Sequence, residues 1–235
     1  MQNVVIAGGT SGMGFATAKL LVAKGFNVII LGRDMEKLNQ ALKELGPHAT
    51  GKSVDATDGA LLEQTIAEIG QIDHLVVALS GGKGIGRFAE LNLNDLRLGF
   101  EGKFFPQLQM AQAVLPYITT NGSITFITSI SSRSKAIGTA GLGAINGAIE
   151  IMVPTLAKEL KPLRINAVAP GVINTTWWDF LPPEKKQETF NQYNQTIPLG
   201  RVGEPNDVAG LIVTLIENTY ITGQVIAVDG GLSLI

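Results

Sequence analysis

The chain has 235 residues, 45% of them hydrophobic, with 18 basic against 20 acidic residues and a net charge of −2. A near-neutral balance offers no electrostatic footprint for nucleic acid or an anionic membrane. The lack of cysteine excludes disulfides, thiol nucleophiles and Cys-ligated zinc, and His48 and His74 alone make no metal site. No uninterrupted apolar run reaches the roughly 18 residues that span a bilayer. No basic segment with an apolar stretch precedes the first strand, so a cytoplasmic protein acting on a small molecule is expected, with residues 1–235 forming one domain.

Residues 4–7 are an apolar, β-branched run, followed by Gly8, Gly9, Thr10, Ser11, Gly12, Met13 and Gly14 and then by a helical apolar pattern from Phe15. A strand, a glycine-rich turn and a helix in that order open a nucleotide-binding βαβ unit. Only glycine lets backbone N–H groups approach a pyrophosphate closely at a helix N-terminus. Residues 27–31 read as a second strand, apolar enough to be covered on both faces. Asp34 is placed to cap a helix that aligns Met35, Leu38, Leu42 and Leu45 and stops at Gly46-Pro47. A third strand is expected at 51–55, a helix on Leu62, Ile66 and Ile69, and a fourth strand at 74–79.

A long helix then runs from about Leu93 to Ile118, with Pro106 as a place to bend, and a fifth strand follows at 123–128. A helix at about 141–160, a sixth strand at 164–168, a last helix at 208–216 and a last strand at 225–228 complete the pattern. Between the sixth strand and the last helix, residues 174–205 carry Trp177, Trp178, Phe180, Phe190 and Tyr193. Loops of that length are lids or disordered segments, and the aromatic content favours a substrate lid. Alternating strands and helices predict an α/β fold, a doubly wound parallel sheet in three α/β/α layers. Ligands then belong at the carboxyl ends of the strands.

The Gly8/Gly12/Gly14 turn, Val54-Asp55, Gly122-Ser123-Ile124 leading to Ser129, and the stretch from Asn166 to Gly171 come in an order and spacing that resemble the short-chain dehydrogenase/reductase superfamily. The stretches from Gly200 to Pro205 and from Thr222 to Gly231 extend the resemblance over nearly the whole chain. Ala7 stands where the family's turn usually begins with threonine. The resemblance implies a Rossmann-type subunit that binds a nicotinamide cofactor, assembled as a homodimer or homotetramer through its two long helices. It assigns cofactor contacts to Gly8, Thr10, Ser11, Gly12, Met13 and Gly14, to Ser80 and Gly81, and to Pro170, Gly171 and Val172. Asp55 and Ala56 resemble the family's adenine-contacting pair, although Asp55 ahead of Thr57-Asp58 also suits a turn.

Where the family binds a ribose 2′-OH it places an acidic residue at the end of strand two. Here that position is Gly32, followed by Arg33. A planar guanidinium pairs well with a 2′-phosphate, so NADP(H) is favoured. NAD(H) stays open if Asp34 takes the ribose hydroxyls instead of capping its helix.

The catalytic set departs from the pattern. The family uses a tyrosine to donate or accept a proton, a lysine four residues later that lowers its pKa, a serine that polarises the substrate oxygen, and an asparagine on the preceding long helix. Ser129 fits the serine, but 13 residues on, the tyrosine position is Leu142, the lysine position is Asn146, and the asparagine position is Lys103. Lysine and asparagine are exchanged between two helices. Lys103 either carries its ammonium back into the pocket, to bind the nicotinamide ribose or serve as a general acid, or lies on a solvated helix face. Losing a positioned proton donor costs about 10²–10⁴ in rate. Hydride transfer itself needs no tyrosine.

Water held by Ser129 and Tyr193 on the lid are other proton sources. Ser131, Ser132 and Lys135 either line the cleft or form a polar turn. The expected function is carbonyl/alcohol interconversion on a small, partly apolar substrate. The alternative is an NADP(H)-binding sensor or regulatory protein without turnover.

Overall fold

In the computed structural model, which describes residues 1–235, strand β1 (Asn3–Ala7) sends Val4 and Ile6 into one apolar cluster and Val5 and Ala7 into another. None of the four is exposed. Side chains alternate across a strand, so a strand without a polar face belongs inside a parallel sheet covered on both sides. β2 (Asn27–Gly32), β3 (Ala49–Ser53), β4 (Ile72–Val77), β5 (Ile118–Ile127), β6 (Arg164–Pro170) and β7 (Val225–Val228) complete that sheet. Its order is β3-β2-β1-β4-β5-β6-β7, with every pairing parallel.

The helices are α1 (Gly12–Ala23), α2 (Met35–Leu45), α3 (Gly59–Ile69), α4 (Leu93–Gly99), α5 (Phe105–Val114), α6 (Ala140–Glu159), α7 (Pro183–Thr196) and α8 (Pro205–Glu217). Leu21 of α1, Leu38 of α2 and Ile212 of α8 pack with Val4 and Ile6 on one face. Leu62 of α3, Met110 of α5 and Ile149 of α6 pack with Val5 and Ala7 on the other. The result is the expected three-layer Rossmann-type arrangement. Burying a Val or Ile side chain stabilises by about 1.5–3 kcal/mol, so β1 contributes to both layers at once. The order of strands turns back between β1 and β4, which places the crevice of the sheet at their carboxyl ends.

Several boundaries differ from the sequence pattern. β3 and β4 each start two residues earlier than expected, at Ala49 and Ile72. The ends of β1 and β4 are tied in register, Ala7 opposite Val77, so β4 stops where β1 does. β5 starts at Ile118, which pairs with Ile72 across an irregularity in register, and the preceding helix therefore ends at Val114. That long helix is broken by a π-helical turn, Phe100–Phe104, between α4 and α5. Pro106, which has no N–H to donate to the preceding turn, directly follows this π turn at the start of α5. Residues 174–205 hold a 3-10 turn, Thr176–Phe180, and the 14-residue α7. α7 shows little apolar periodicity because it docks mainly through Phe190, 5.6 Å from the Trp178 ring.

α6 is long and apolar enough by composition to cross a bilayer, a property explained here by Ile145, Ile149 and Val153, which it buries in the fold. Asp34 caps α2 as expected, accepting from the N–H groups of Glu36 at 2.9 Å and Lys37 at 3.1 Å. Arg164, buried on β6, donates to the carbonyls of Leu215 at 2.6 Å and Ile216 at 2.9 Å and so closes the end of α8.

His74 lies buried on β4 with Nδ1 2.8 Å from Ser123 Oγ. Burial, aided by Arg164 and opposed by Asp73, lowers its pKa to about 4. An unfolded histidine titrates near about 6.5 and takes up its proton first, so stability is full above that value and is lost as pH falls toward 4. Urea melts across this window are expected to show a decline of up to about 1.4 kcal/mol per pH unit from this group. His74→Gln should flatten it.

Candidate active site

β1 leads directly into the glycine turn at the crevice. Gly8 adopts φ +82°, donates its N–H to Leu31 O at 2.9 Å, and lies so close to β4 that an added Cβ would sit 2.7 Å from Ala78 O. Ser11 is the N-cap of α1 but makes no side-chain cap, and no acidic residue stands in the first turn. The helix N-terminus therefore offers free amides and a positive dipole end to an anion. This cradle fits the diphosphate of a dinucleotide.

At the end of β2, Thr10 packs against Gly32, where an added Cβ would lie 2.6 Å from Thr10 Cγ2. Arg33 follows with a side chain 74% exposed, and its Nη1 is 3.8 Å from Asp55 Oδ2. Asp55 accepts from Thr57 N at 3.0 Å and from Thr57 Oγ1 at 2.9 Å, so it does form the turn that its sequence context suggests. The Thr57 backbone bond, with help from the Thr57 hydroxyl and Arg33 and against partial burial, holds its carboxyl below the usual range. Ala56 beside it is buried.

Beyond β4, Ser80 is exposed and the carbonyl of Gly81 accepts the indole N–H of Trp177 at 3.2 Å. Beyond β6, Pro170 ends the strand, Gly171 donates to Val228 O at 2.9 Å and Val172 O accepts from Gly203 N at 2.9 Å. Thr175 reaches over to Gly12, where an added Cβ would be 3.4 Å from Thr175 Cγ2. The segment after β6 thus lies across the turns after β1 and β4.

Lys103 sits on the π turn, 8% exposed, and donates to Thr128 O at 3.2 Å, so the solvated-face reading does not hold. Burial lowers its pKa to about 8, with Glu150 opposing. Ser129 caps a 3-10 turn, Ile130–Ser132, by accepting from Ser131 N at 3.2 Å. Asn146 on α6 donates to Ser131 Oγ at 3.1 Å and to Leu142 O at 2.9 Å, while its Oδ1 is buried without a partner in the protein. Leu142, one turn earlier and half-buried, has no proton to transfer. Tyr193 packs against Trp178, with rings 6.2 Å apart, and Lys135 is exposed with φ +53°.

Two residues escaped the sequence reading. Gln107 is fully buried and donates to Leu79 O at 2.8 Å and Ile127 O at 3.1 Å, which pins the long helix to the ends of β4 and β5. Glu150 accepts from Thr128 Oγ1 at 2.9 Å and Ser132 Oγ at 2.8 Å. Each lies four residues after a position singled out on its helix, Lys103 and Asn146, so the shared helical face was the available signal.

Residues 7–233 match the family model described as Enoyl-(Acyl carrier protein) reductase. Carbonyl reductase family member 4 of Xenopus laevis is 34% identical over 240 residues, 97% of this chain and 97% of that protein. The 3-oxoacyl-(acyl-carrier-protein) reductase of Rattus norvegicus is 34% identical over 242 residues, again 97% of each. Among solved structures, a small-chain dehydrogenase in complex with NADPH superposes with a TM-score of 0.87 at 30% identity, over 100% of this chain and 99% of that one. Because Gly8 has no room for a side chain, Gly8→Ala is expected to lower stability by about 1–3 kcal/mol and to weaken pyridine-nucleotide binding. Thermal melts with and without nucleotide measure both effects. With sequence and structural likeness both running the length of the fold, the chain belongs to the short-chain dehydrogenase/reductase superfamily of oxidoreductases.

Proposed function

We propose that the protein is an NADP(H)-dependent oxidoreductase that interconverts a carbonyl and an alcohol on a small, partly apolar substrate, with Lys103 as the source of the proton that the family's tyrosine supplies. The observation that carries this reading is the buried Lys103 ammonium on Thr128 O, the residue next to Ser129. A pKa of about 8 leaves the ammonium protonated at neutral pH yet able to release its proton at small cost. Ser129 Oγ takes its bond from Ser131 N–H and keeps its own hydrogen for a substrate oxygen. The proton then moves from Lys103 through that hydroxyl, or through a water it holds, to the oxygen of the reduced carbonyl. When bound, the nicotinamide supplies the hydride for the carbonyl carbon.

Arg33 supports the choice of NADP(H), being exposed, joined only to Asp55, and next to an Asp34 already engaged in capping α2. A neighbour solved with NADPH agrees with it. Asn146 Oδ1, buried and unpartnered, is an acceptor for a ribose hydroxyl or for water. The Trp177, Trp178, Phe180 and Phe190 cluster supports a lid at 174–205 that covers an apolar group. Exposed Leu93, Leu98, Phe105 and Ile151 on α4, α5 and α6 support a homodimer or homotetramer.

Leu142 favours one other reading, an NADP(H)-binding sensor without turnover. NADPH absorbance followed with a panel of aldehydes and ketones separates the two. Consumption is expected, whereas tight NADPH binding with no consumption selects the sensor. Turnover in the reducing direction should fall as pH rises through about 8 and Lys103 loses its proton. Lys103→Met should remove that limb and lower kcat by about 10²-fold. Arg33→Ala should weaken NADPH binding about tenfold and leave NADH binding unchanged, as read by fluorescence titration.

A further inference from the structure

Exchanging lysine and asparagine between two helices moves a positive charge into the interior, and an interior charge requires a partner. Glu150 lies on α6 one turn beyond Asn146, with its side chain 10% exposed. Its Oε1 accepts from Thr128 Oγ1 at 2.9 Å, and its Oε2 accepts from Ser132 Oγ at 2.8 Å and from Arg133 Nε and Nη2 at 3.3 Å each. Thr128 is therefore held from two sides, its carbonyl by the Lys103 ammonium and its hydroxyl by the Glu150 carboxylate. Ser129 is the next residue.

We propose that Glu150 is a positioning residue of this site: it is the counter-charge that makes a buried ammonium at Lys103 tenable, and it clamps Thr128 and Ser132 so that the turn carrying Ser129 is fixed against α6. The inference rests on the reading of Lys103 as proton source. Its geometry stands apart from turnover.

The other charged groups around Lys103 do not replace Glu150. Arg133, on the turn after β5, is bound to Glu150 itself. From the loop after β4, whose Gly81 lies against the Lys103 side chain, Lys83 is exposed and paired with Asp95 at 3.6 Å. Glu101 on the same π turn is exposed to solvent. Removing the Glu150 charge also leaves the Arg133 guanidinium without its carboxylate, and a cation released there disfavours the ammonium further.

The test is the titration of Lys103 itself, followed by NMR of protein labelled with ¹³C-lysine, with Lys103→Met assigning the signal. In Glu150→Gln, the titration should move down by about one pH unit or more, and the alkaline limb of the turnover profile should move with it. Glu150→Asp, which keeps the charge, should restore most of the shift. A merely structural role would lower turnover equally at every pH and leave the titration in place, and that result overturns the proposal. Arg133→Gln, which frees the carboxylate for Lys103, should move the titration upward. If Glu150→Gln does not fold, an unmoved titration in Arg133→Gln overturns the proposal instead. A titration that shifts as expected in a protein whose turnover never depends on Lys103 would sink the proton-source reading and leave the charge pairing intact.

Discussion

The contact of the glycine turn with the end of β4 is the constraint on which the rest of this structure depends. Gly8 sits against Ala78, and Ala78 donates its own N–H to Ala7 O at 2.8 Å, so turn and strand end are locked together at the point where the sheet reverses its order. That lock requires β1 to be a central strand, which in turn requires Val4, Val5, Ile6 and Ala7 to be apolar on both faces. The helix that follows is left with free N-terminal amides aimed at the crevice. Fold and anion cradle are one solution to one packing problem.

The second half of the site is built on charge. At the end of β5 a lysine, a threonine, a glutamate and an arginine follow one another, ammonium to carbonyl, hydroxyl to carboxylate, carboxylate to guanidinium. Burial opposes the charge on Lys103, and the Glu150 carboxylate favours it. Ser129 is carried on the turn between these two side chains. In the proposed reading, the positive charge that the family carries on α6 stands instead at Lys103, and Glu150 faces it through Thr128.

Over these two halves lies the segment after β6. Trp177 ties it to Gly81 and Thr175 packs it on Gly12, so its position is set by the same turns that would hold a dinucleotide. Its helix, α7, is held by Phe190 and Tyr193 against Trp178, by Lys186 on Asp179 at 2.8 Å, and by Asn194 Oδ1, which accepts from Val202 N at 2.7 Å.

The alternation of apolar runs with helical patterns was enough to determine the layers, the parallel sheet and the glycine turn, because each depends on local chemistry: side-chain period, capping by Asp34, and the steric freedom of glycine. The assignment of the family's tyrosine, lysine and asparagine positions to Leu142, Asn146 and Lys103 rests on residue types and spacing alone. Strand ends, the π turn before Pro106 and α7 were not legible in that way, since register against a neighbour and the docking of Phe190 on Trp178 set them. Nor did residue types show that Lys103 is buried, that Asn146 addresses Ser131, that Glu150 accepts from Thr128, or that Gln107 donates to Leu79 O. Those facts arise only when two helices distant in sequence close on the end of one strand, because burial and charge pairing are properties of what surrounds a residue and not of the residue itself.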